Sequence, residues 1–124
     1  MQTSVLEPWL PRAETTGEWN LDEIVEGSSG LKVSLERDAR TETLVVEFGW
    51  VVAYRRSPNH LYAYSPEGGS LRRARDSEYL SWIKKVASGV YDQPFFHFAF
   101  LTVDGTIDVL ATCEPNVRVQ KSSV

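Results

Sequence analysis

Two β-prone runs dominate the hydrophobic pattern of the chain, at residues 95–103 and 106–113. They are joined by Asp104-Gly105, a pair typical of the type I′ turn that closes a two-residue β-hairpin. A turn at this pair places Leu101 opposite Asp108. The phenylalanines of the first run then line one core face. The opposite face of the hairpin is half apolar, so we expect another element to cover it.

Apolar and polar residues alternate in two earlier segments, 31–36 and 43–48, which predicts strands with one solvated face. Gly49 interrupts the second pattern, but the residues after it continue as a β-prone run. An isolated glycine in a strand pattern indicates a bulge or bend. We therefore predict one long, bent strand over residues 43–55. Val117 and Val119 indicate a short edge strand near the end of the chain.

Helical periodicity is clear only over residues 77–88. Asp76 is a suitable N-cap, and Gly89 suits the position after the last turn. The predicted buried stripe of this helix is Tyr79, Leu80, Ile83, Val86 and Ala87. Residues 20–26 combine a cap-type asparagine with early acidic residues, which predicts one or two further helical turns.

This order of elements predicts an α+β fold, in which an antiparallel sheet of four to six strands packs one main helix on a face. A small, partly open β-barrel with a helix is the alternative. A length of 124 residues fits a single domain over residues 1–124. Within it, we interpret residues 1–20 as an N-terminal arm that is packed or partly mobile.

Cysteine content and hydropathy limit the classes of protein. A single cysteine excludes an internal disulfide and favours a cytoplasmic location. The apolar runs are far shorter than the ~20 residues of a membrane-spanning helix, so we expect no membrane association. The sequence contains no cysteine pair of the metal-binding type and no phosphate-binding loop, and we predict no metal and no cofactor.

The net charge of −4 is unevenly distributed along the chain. Residues 1–49 carry a net −6, residues 50–90 a net +4 and residues 91–124 a net −2. The basic middle part supplies the candidate surface binding residues, which are Tyr54, Arg55, Arg56, His60, Tyr62, Tyr64, Arg72, Arg73 and Arg75. Arginine and tyrosine are enriched in protein-binding hot spots, whereas a pI of 5.2 disfavours nucleic acid as the partner. Alternatively, these arginines pair with the acidic first part of the chain.

His97 and Cys113 are the first candidates for a pair of catalytic base and nucleophile. In the predicted hairpin they lie on opposite faces, so they cannot form a dyad. His97 and Asp108 share a face, but the predicted register separates them by four residues, or ~13 Å, too far for a hydrogen bond. We therefore predict no catalytic residues, a buried Cys113 and a structural His97.

The segment Glu47-Phe48-Gly49-Trp50-Val51-Val52-Ala53-Tyr54-Arg55 resembles a strand of small, mostly uncharacterised bacterial proteins, with the form Glu-Phe-x-x-Val-x-Ala-Tyr-Arg. Asp108-Val109-Leu110-Ala111 and Glu114-Pro115 resemble a later hairpin of the same proteins. Phe48-Gly49-Trp50-Val51 is also similar to immunity proteins that neutralise bacterial toxins. The resemblance implies a non-catalytic binding domain and supplies no active-site residues.

The sequence thus predicts a non-enzymatic protein-interaction domain, and an immunity-type inhibitor of a bacterial toxin is its more specific form. Two alternatives remain open. One is a small ligand-binding domain or enzyme with a pocket near His97. The other is a domain that binds an anionic ligand or nucleic acid through the arginine-rich loop.

Overall fold

The computed structural model describes residues 6–9, 15–28, 30–37, 41–57, 69–74, 77–86, 95–102 and 105–121. The elements in chain order are β1 (Glu7–Pro8), β2 (Asn20–Gly27), β3 (Gly30–Arg37), β4 (Glu42–Phe48), β5 (Val51–Ser57), β6 (Leu71–Ala74), α1 (Glu78–Val86), β7 (Phe96–Thr102), β8 (Gly105–Ala111) and β9 (Asn116–Lys121). The strand pattern predicted from residue 31 onward therefore appears as β3, β4, β7, β8 and β9. Residues 60–64, whose sequence is also compatible with a short strand, lie outside the described residues.

The strands form two antiparallel sheets. One has five strands in the order β1-β6-β7-β8-β5, and the other has four in the order β2-β3-β4-β9. Antiparallel pairing is confirmed, but the predicted single sheet is in fact two, so the α+β arrangement with one helix on a sheet face is confirmed only in part. Both sheets are open, so the described residues form no closed barrel, and the barrel alternative is wrong.

One apolar core lies between the two sheets. Phe48 of β4 contacts Phe98 and Phe100 of β7, with ring centroids 5.4 and 6.3 Å apart, respectively. Trp9 packs on the same cluster, with its ring 4.9 Å from that of Phe98. Trp19 is 1% exposed and belongs to the same core. The segment interpreted as an N-terminal arm therefore supplies two core tryptophans.

Residues 20–26, which we predicted to be helical, belong to the edge strand β2. Leu21 lies opposite Leu35, and Ile24 lies opposite Val33. One extra residue therefore stands on β2 between these two pairs, which is a β-bulge. The bulge turns two apolar side chains three residues apart to one face. This spacing imitates a helical period, and the helix prediction is wrong for that reason.

The predicted bend at Gly49 separates two strands of different sheets. β4 ends at Phe48 in the four-stranded sheet, and β5 begins at Val51 in the five-stranded sheet. The prediction of one bent strand over residues 43–55 is therefore wrong. Both strands contribute side chains to the same core, so the apolar pattern runs across the change of sheet.

The hairpin of β7 and β8 has a register shifted by two residues from the prediction. Gly105 is paired with Thr102 instead of occupying the turn, and Ala99 lies opposite Asp108. Asp104, the other predicted turn residue, lies outside the described residues. A shift by two residues keeps each side chain on its predicted face, because side chains alternate with a period of two. The phenylalanine face therefore still points into the core.

Helix α1 covers the outer face of the five-stranded sheet, which we expected from the half-apolar face of the hairpin. The buried cluster beneath it consists of Tyr79, Leu80, Phe95 and Leu110. Ile83 is half-buried, but Val86 is 70% exposed. The predicted stripe therefore ends before Val86, and its last member, Ala87, lies outside the described residues.

Truncation of the helix stripe should reveal this core contact. We expect Leu80→Ala to lower the free energy of unfolding by ~2–5 kcal/mol, because Leu80 is buried between helix and sheet. Lys84→Ala, on the exposed side of the same helix, should change it by less than ~0.5 kcal/mol. Urea unfolding measures both values. Equal, small losses at the two positions would contradict the placement of Leu80 in a core.

Candidate functional site

Four polar side chains are connected beneath helix α1. Ser77 Oγ lies 2.7 Å from His97 Nδ1, and His97 Nε2 lies 2.6 Å from Asp108 Oδ1. Arg55 Nε donates to Asp108 Oδ2 at 3.0 Å. We refer to Ser77, His97, Asp108 and Arg55 as the buried polar chain.

The strand register brings these residues together. Asp108 faces Ala99 on β7 and Arg55 on β5. His97 is therefore a diagonal neighbour of Asp108, and such pairs have Cα atoms ~7–8 Å apart, within reach of two polar side chains. The prediction that His97 and Asp108 are too distant for a hydrogen bond is wrong, because it placed Asp108 opposite Leu101, whereas the structure places it opposite Ala99.

Ser77 joins the buried polar chain at the start of α1. Its Oγ accepts the backbone N–H of Leu80 at 3.1 Å, so Ser77 is the N-cap of the helix. The predicted cap, Asp76, precedes it and lies outside the described residues. Sequence reasoning missed Ser77, because Asp76 and Ser77 are both typical N-cap residues and both precede the apolar stripe of the helix.

Serine, histidine and aspartate follow one another here as in a catalytic triad, but they are closed to solvent. Ser77 is 2% exposed, and His97 and Asp108 are 0% exposed. A catalytic nucleophile must reach its substrate, and the Ser77 oxygen already accepts a helix N–H. The buried polar chain therefore connects α1 with β5, β7 and β8. This placement agrees with the structural role predicted for His97.

Tyr79 covers the end of the buried polar chain. The Arg55 guanidinium carbon lies 4.0 Å from the Tyr79 ring centroid, a cation–π contact. Tyr79 also meets His97, with ring centroids 5.8 Å apart. Burial raises the pKa of the Tyr79 hydroxyl above its ordinary value of 10.0, the Asp108 charge raises it further, and the Arg55 charge opposes the increase.

Tyr79 should make the folded protein sensitive to alkali. Its pKa is raised in the folded state, so its contribution to stability is complete below the unfolded value of 10.0 and falls as the pH rises above it. Tyr79→Phe should reduce this alkaline loss. Urea unfolding of both proteins at about pH 9 and about pH 11 measures the difference. The same loss in both proteins would contradict the assignment to Tyr79.

The described candidate residues from the sequence do not form one surface. Tyr54 packs against the core side of β5, whereas Arg55 reaches Asp108 on the outer side. Arg72 and Arg73 lie on β6, which β7 and β8 separate from β5. The remaining candidates His60, Tyr62, Tyr64 and Arg75 lie outside the described residues.

The four described arginines also differ in their surroundings. Arg72 is only 6% exposed and donates through Nε to the Gly69 carbonyl at 3.0 Å. The prediction of a surface position is therefore wrong for Arg72. Arg73 pairs with Glu114, which belongs to the last part of the chain rather than its acidic beginning. Arg56 is exposed on β5.

A second candidate site surrounds Trp50 at one end of the two sheets. Two adjoining cavities of about 410 and 630 Å³ meet there. Both are lined by Gly27, Gly30, Leu31, Gly49 and Trp50, which we call the Trp50 groove. Trp50 is 61% exposed. Glycines form much of the shared lining, so few side chains shield the indole ring from solvent.

Contacts between distant segments build this groove. A Cβ on Gly30 would lie 2.0 Å from the Phe48 carbonyl oxygen, so the first residue of β3 packs directly on the end of β4. The Tyr54 hydroxyl donates to Glu26 Oε1 at 2.9 Å and connects the edges of the two sheets. This hydrogen bond to a carboxylate raises the pKa of Tyr54.

Cys113 lies at the rim of the larger cavity and is exposed. The prediction of a buried Cys113 is wrong, because β8 ends at Ala111 and the chain leaves the sheet before the cysteine. His97 faces away from both cavities and lines neither of them. Sequence reasoning did not include Trp50 among the binding residues, and its signal was an aromatic residue directly after a strand-breaking glycine.

Comparison of the chain with protein-family models, curated proteins and solved structures finds no match. In the part of the chain that the structure describes, no helix is long and apolar enough to cross a membrane. Within the same part, no group of three or more His, Cys, Asp and Glu side chains is arranged to hold a metal ion.

Proposed function

We propose that this protein is a non-enzymatic domain that binds a protein partner through the Trp50 groove. The observation that carries this proposal is an indole ring that is 61% exposed between two cavities. Tryptophan is among the residues most enriched in binding hot spots, and such anchors act in pockets from which the partner excludes water.

Burial of this surface by a partner would be favourable. Covering apolar surface contributes about 25 cal/mol per Å² removed from water, and an exposed indole offers a large apolar area. Leu31, Val51 and Val52 extend the apolar lining of the groove. Gly27 and Gly30 leave its floor open, so that a partner backbone can approach closely.

The distribution of reactive groups supports binding rather than catalysis. The histidine of the buried polar chain is closed to solvent. The described lining of the two cavities holds carboxylates, a lysine, a thiol, a phenol, other polar groups and apolar groups, and it includes no histidine.

An immunity-type inhibitor of a bacterial toxin is the more specific form of this proposal. It is supported by the resemblance of Phe48-Gly49-Trp50-Val51 to immunity proteins, since these residues all line the groove. The second candidate is a small-molecule site in the same place. A cavity of about 410 Å³ lies within the ~300–1,000 Å³ range of ligand pockets.

Alanine substitution of two exposed tryptophans tests the proposal. Trp50→Ala should weaken capture of a partner from cells that encode this protein by at least tenfold, a typical hot-spot loss. Trp82→Ala is the matched control, because Trp82 is 58% exposed on α1, away from the groove. Quantitative mass spectrometry of the captured proteins measures the difference, and equal capture by both variants would remove the Trp50 groove from the interface.

Two further measurements distinguish an immunity inhibitor from a small-molecule binding site. If the protein is an immunity inhibitor, co-expression with a toxin encoded beside it should restore growth, and Trp50→Ala should abolish this protection. If the groove instead holds a small molecule, native mass spectrometry of the protein from the same cells should show an added mass that Trp50→Ala removes. If the experiments show no added mass and also no partner whose capture depends on Trp50, a binding role for the groove is contradicted.

A further inference from the structure

We infer that the partner segment in the Trp50 groove is basic and extended, and that it lies along the outer edge of β2. This inference rests on the proposed function and names the chemistry of the partner. Its electrostatic component is an acidic edge formed by Asp22, Glu23 and Glu26.

The three carboxylates of the acidic edge are exposed. None of them forms an ion pair with a described residue, and Glu26 accepts only the Tyr54 hydroxyl. Glu42, Glu47 and Glu114 each pair with an arginine. Among the described residues, the carboxylates along β2 therefore have no ion-pair partner, and the nearby Lys32 of β3, opposite Val25, does not pair with them. A cationic partner segment can pair with these carboxylates.

The acidic edge leads directly into the groove. Glu26 and Gly27 line the smaller cavity, and Val25 lines the larger one and is 43% exposed. An apolar anchor on Trp50 and charged neighbours on β2 could therefore belong to one short segment. Because the carboxylates repel an acidic segment and attract a basic one, charge complementarity selects lysine and arginine beside the anchor.

The backbone of β2 favours an extended segment. β2 is the edge of its sheet, and no described strand pairs with its outer side. Open strand edges bind extended peptides by adding a strand. The register shift between Leu21 and Glu23 interrupts regular pairing at the far end of β2. The regular part, from Glu23 to Gly27, is the part that reaches the groove.

Selection from a peptide library tests the inference. Random peptides of about twelve residues, displayed on phage, are selected on the wild-type protein after depletion on Trp50→Ala. We expect the retained peptides to be enriched in lysine and arginine next to an apolar residue. Retained peptides without this enrichment would overturn the inference and leave the proposed function standing. If no peptide depends on Trp50, the proposed function fails, and the inference fails with it.

Two matched substitutions, each of which removes one carboxylate charge, then test whether the attraction for a basic peptide comes from β2. For the tightest basic peptide, Glu23→Gln should weaken binding about twofold to fivefold at low salt, and it should reduce the salt dependence of the affinity. Glu7→Gln is the control, because Glu7 is also exposed on an edge strand but lies on β1 of the other sheet. Fluorescence polarisation at about 50 and about 500 mM NaCl measures both effects. Equal effects of the two substitutions would show that only net charge matters and would overturn the assignment to β2.

Discussion

Gly30→Ala is expected to lower the free energy of unfolding by roughly 2–6 kcal/mol. A Cβ at this position would meet the Phe48 carbonyl oxygen at 2.0 Å, and a backbone atom of a core strand cannot move aside cheaply. Gly30 also has a φ of +129°, which L residues rarely adopt. The range combines ~1–3 kcal/mol of backbone strain with ~1–3 kcal/mol of overpacking.

Gly27→Ala is the matched control for Gly30→Ala. Gly27 ends β2 and lies directly opposite Gly30, the first residue of β3, but a Cβ on Gly27 would meet nothing within 4 Å. We expect this control to change the free energy of unfolding by less than ~1 kcal/mol. Urea unfolding compares the two variants. Similar free energies of unfolding for the two variants would mean that the start of β3 can move away from β4. The wall of the Trp50 groove would then not be rigid.

Asp108→Ala should lower the free energy of unfolding by ~3–5 kcal/mol, because it removes the buried carboxylate that both the Arg55 guanidinium and the His97 ring contact and leaves these groups without their acceptor. The Asp108 side chain is fully buried and accepts from both His97 and Arg55. Arg55 is 38% exposed and can turn to water, so most of the loss should arise at His97.

Asp108→Asn separates charge from hydrogen bonding. The asparagine side chain keeps an oxygen that can accept a hydrogen bond from His97 Nε2–H, but it lacks the negative charge of the carboxylate. We therefore expect a smaller loss than for alanine. Urea unfolding measures both variants, and near-ultraviolet circular dichroism monitors the packing of Tyr79. An alanine variant that loses less than ~1 kcal/mol would contradict a structural role for the buried polar chain.

The buried polar chain could be predicted only in part. Sequence reasoning placed His97 and Asp108 on one face correctly, because that assignment depends only on the period of two along a strand. Their hydrogen bond depends on the pairing register, and the prediction set this register by the turn at Asp104-Gly105. Ser77 comes from the first turn of a helix, and no local pattern connects it with a strand twenty residues later.

The Trp50 groove was even less visible in the sequence. The wall of the groove combines the end of β2 and the start of β3 with the connection between β4 and β5. In the sequence, each of these segments is only an interruption of the alternation that predicts strands. The predicted arginine and tyrosine set shows the opposite error, since proximity in the sequence suggested a shared surface. β5 and β6 lie apart in their sheet, and Arg72 is buried.

The sequence alone determined the extended conformation of several segments and the place of the main helix. Alternation and the helical stripe are direct consequences of burial on one face, so β3, β4, β7, β8 and α1 could be predicted from a few neighbouring residues each. Only the tertiary structure decided the division into two sheets, the bulge in β2 and the meeting of Ser77, His97 and Asp108. These features depend on pairing between distant segments, where a shift of two residues keeps the alternation of faces but changes every cross-strand contact.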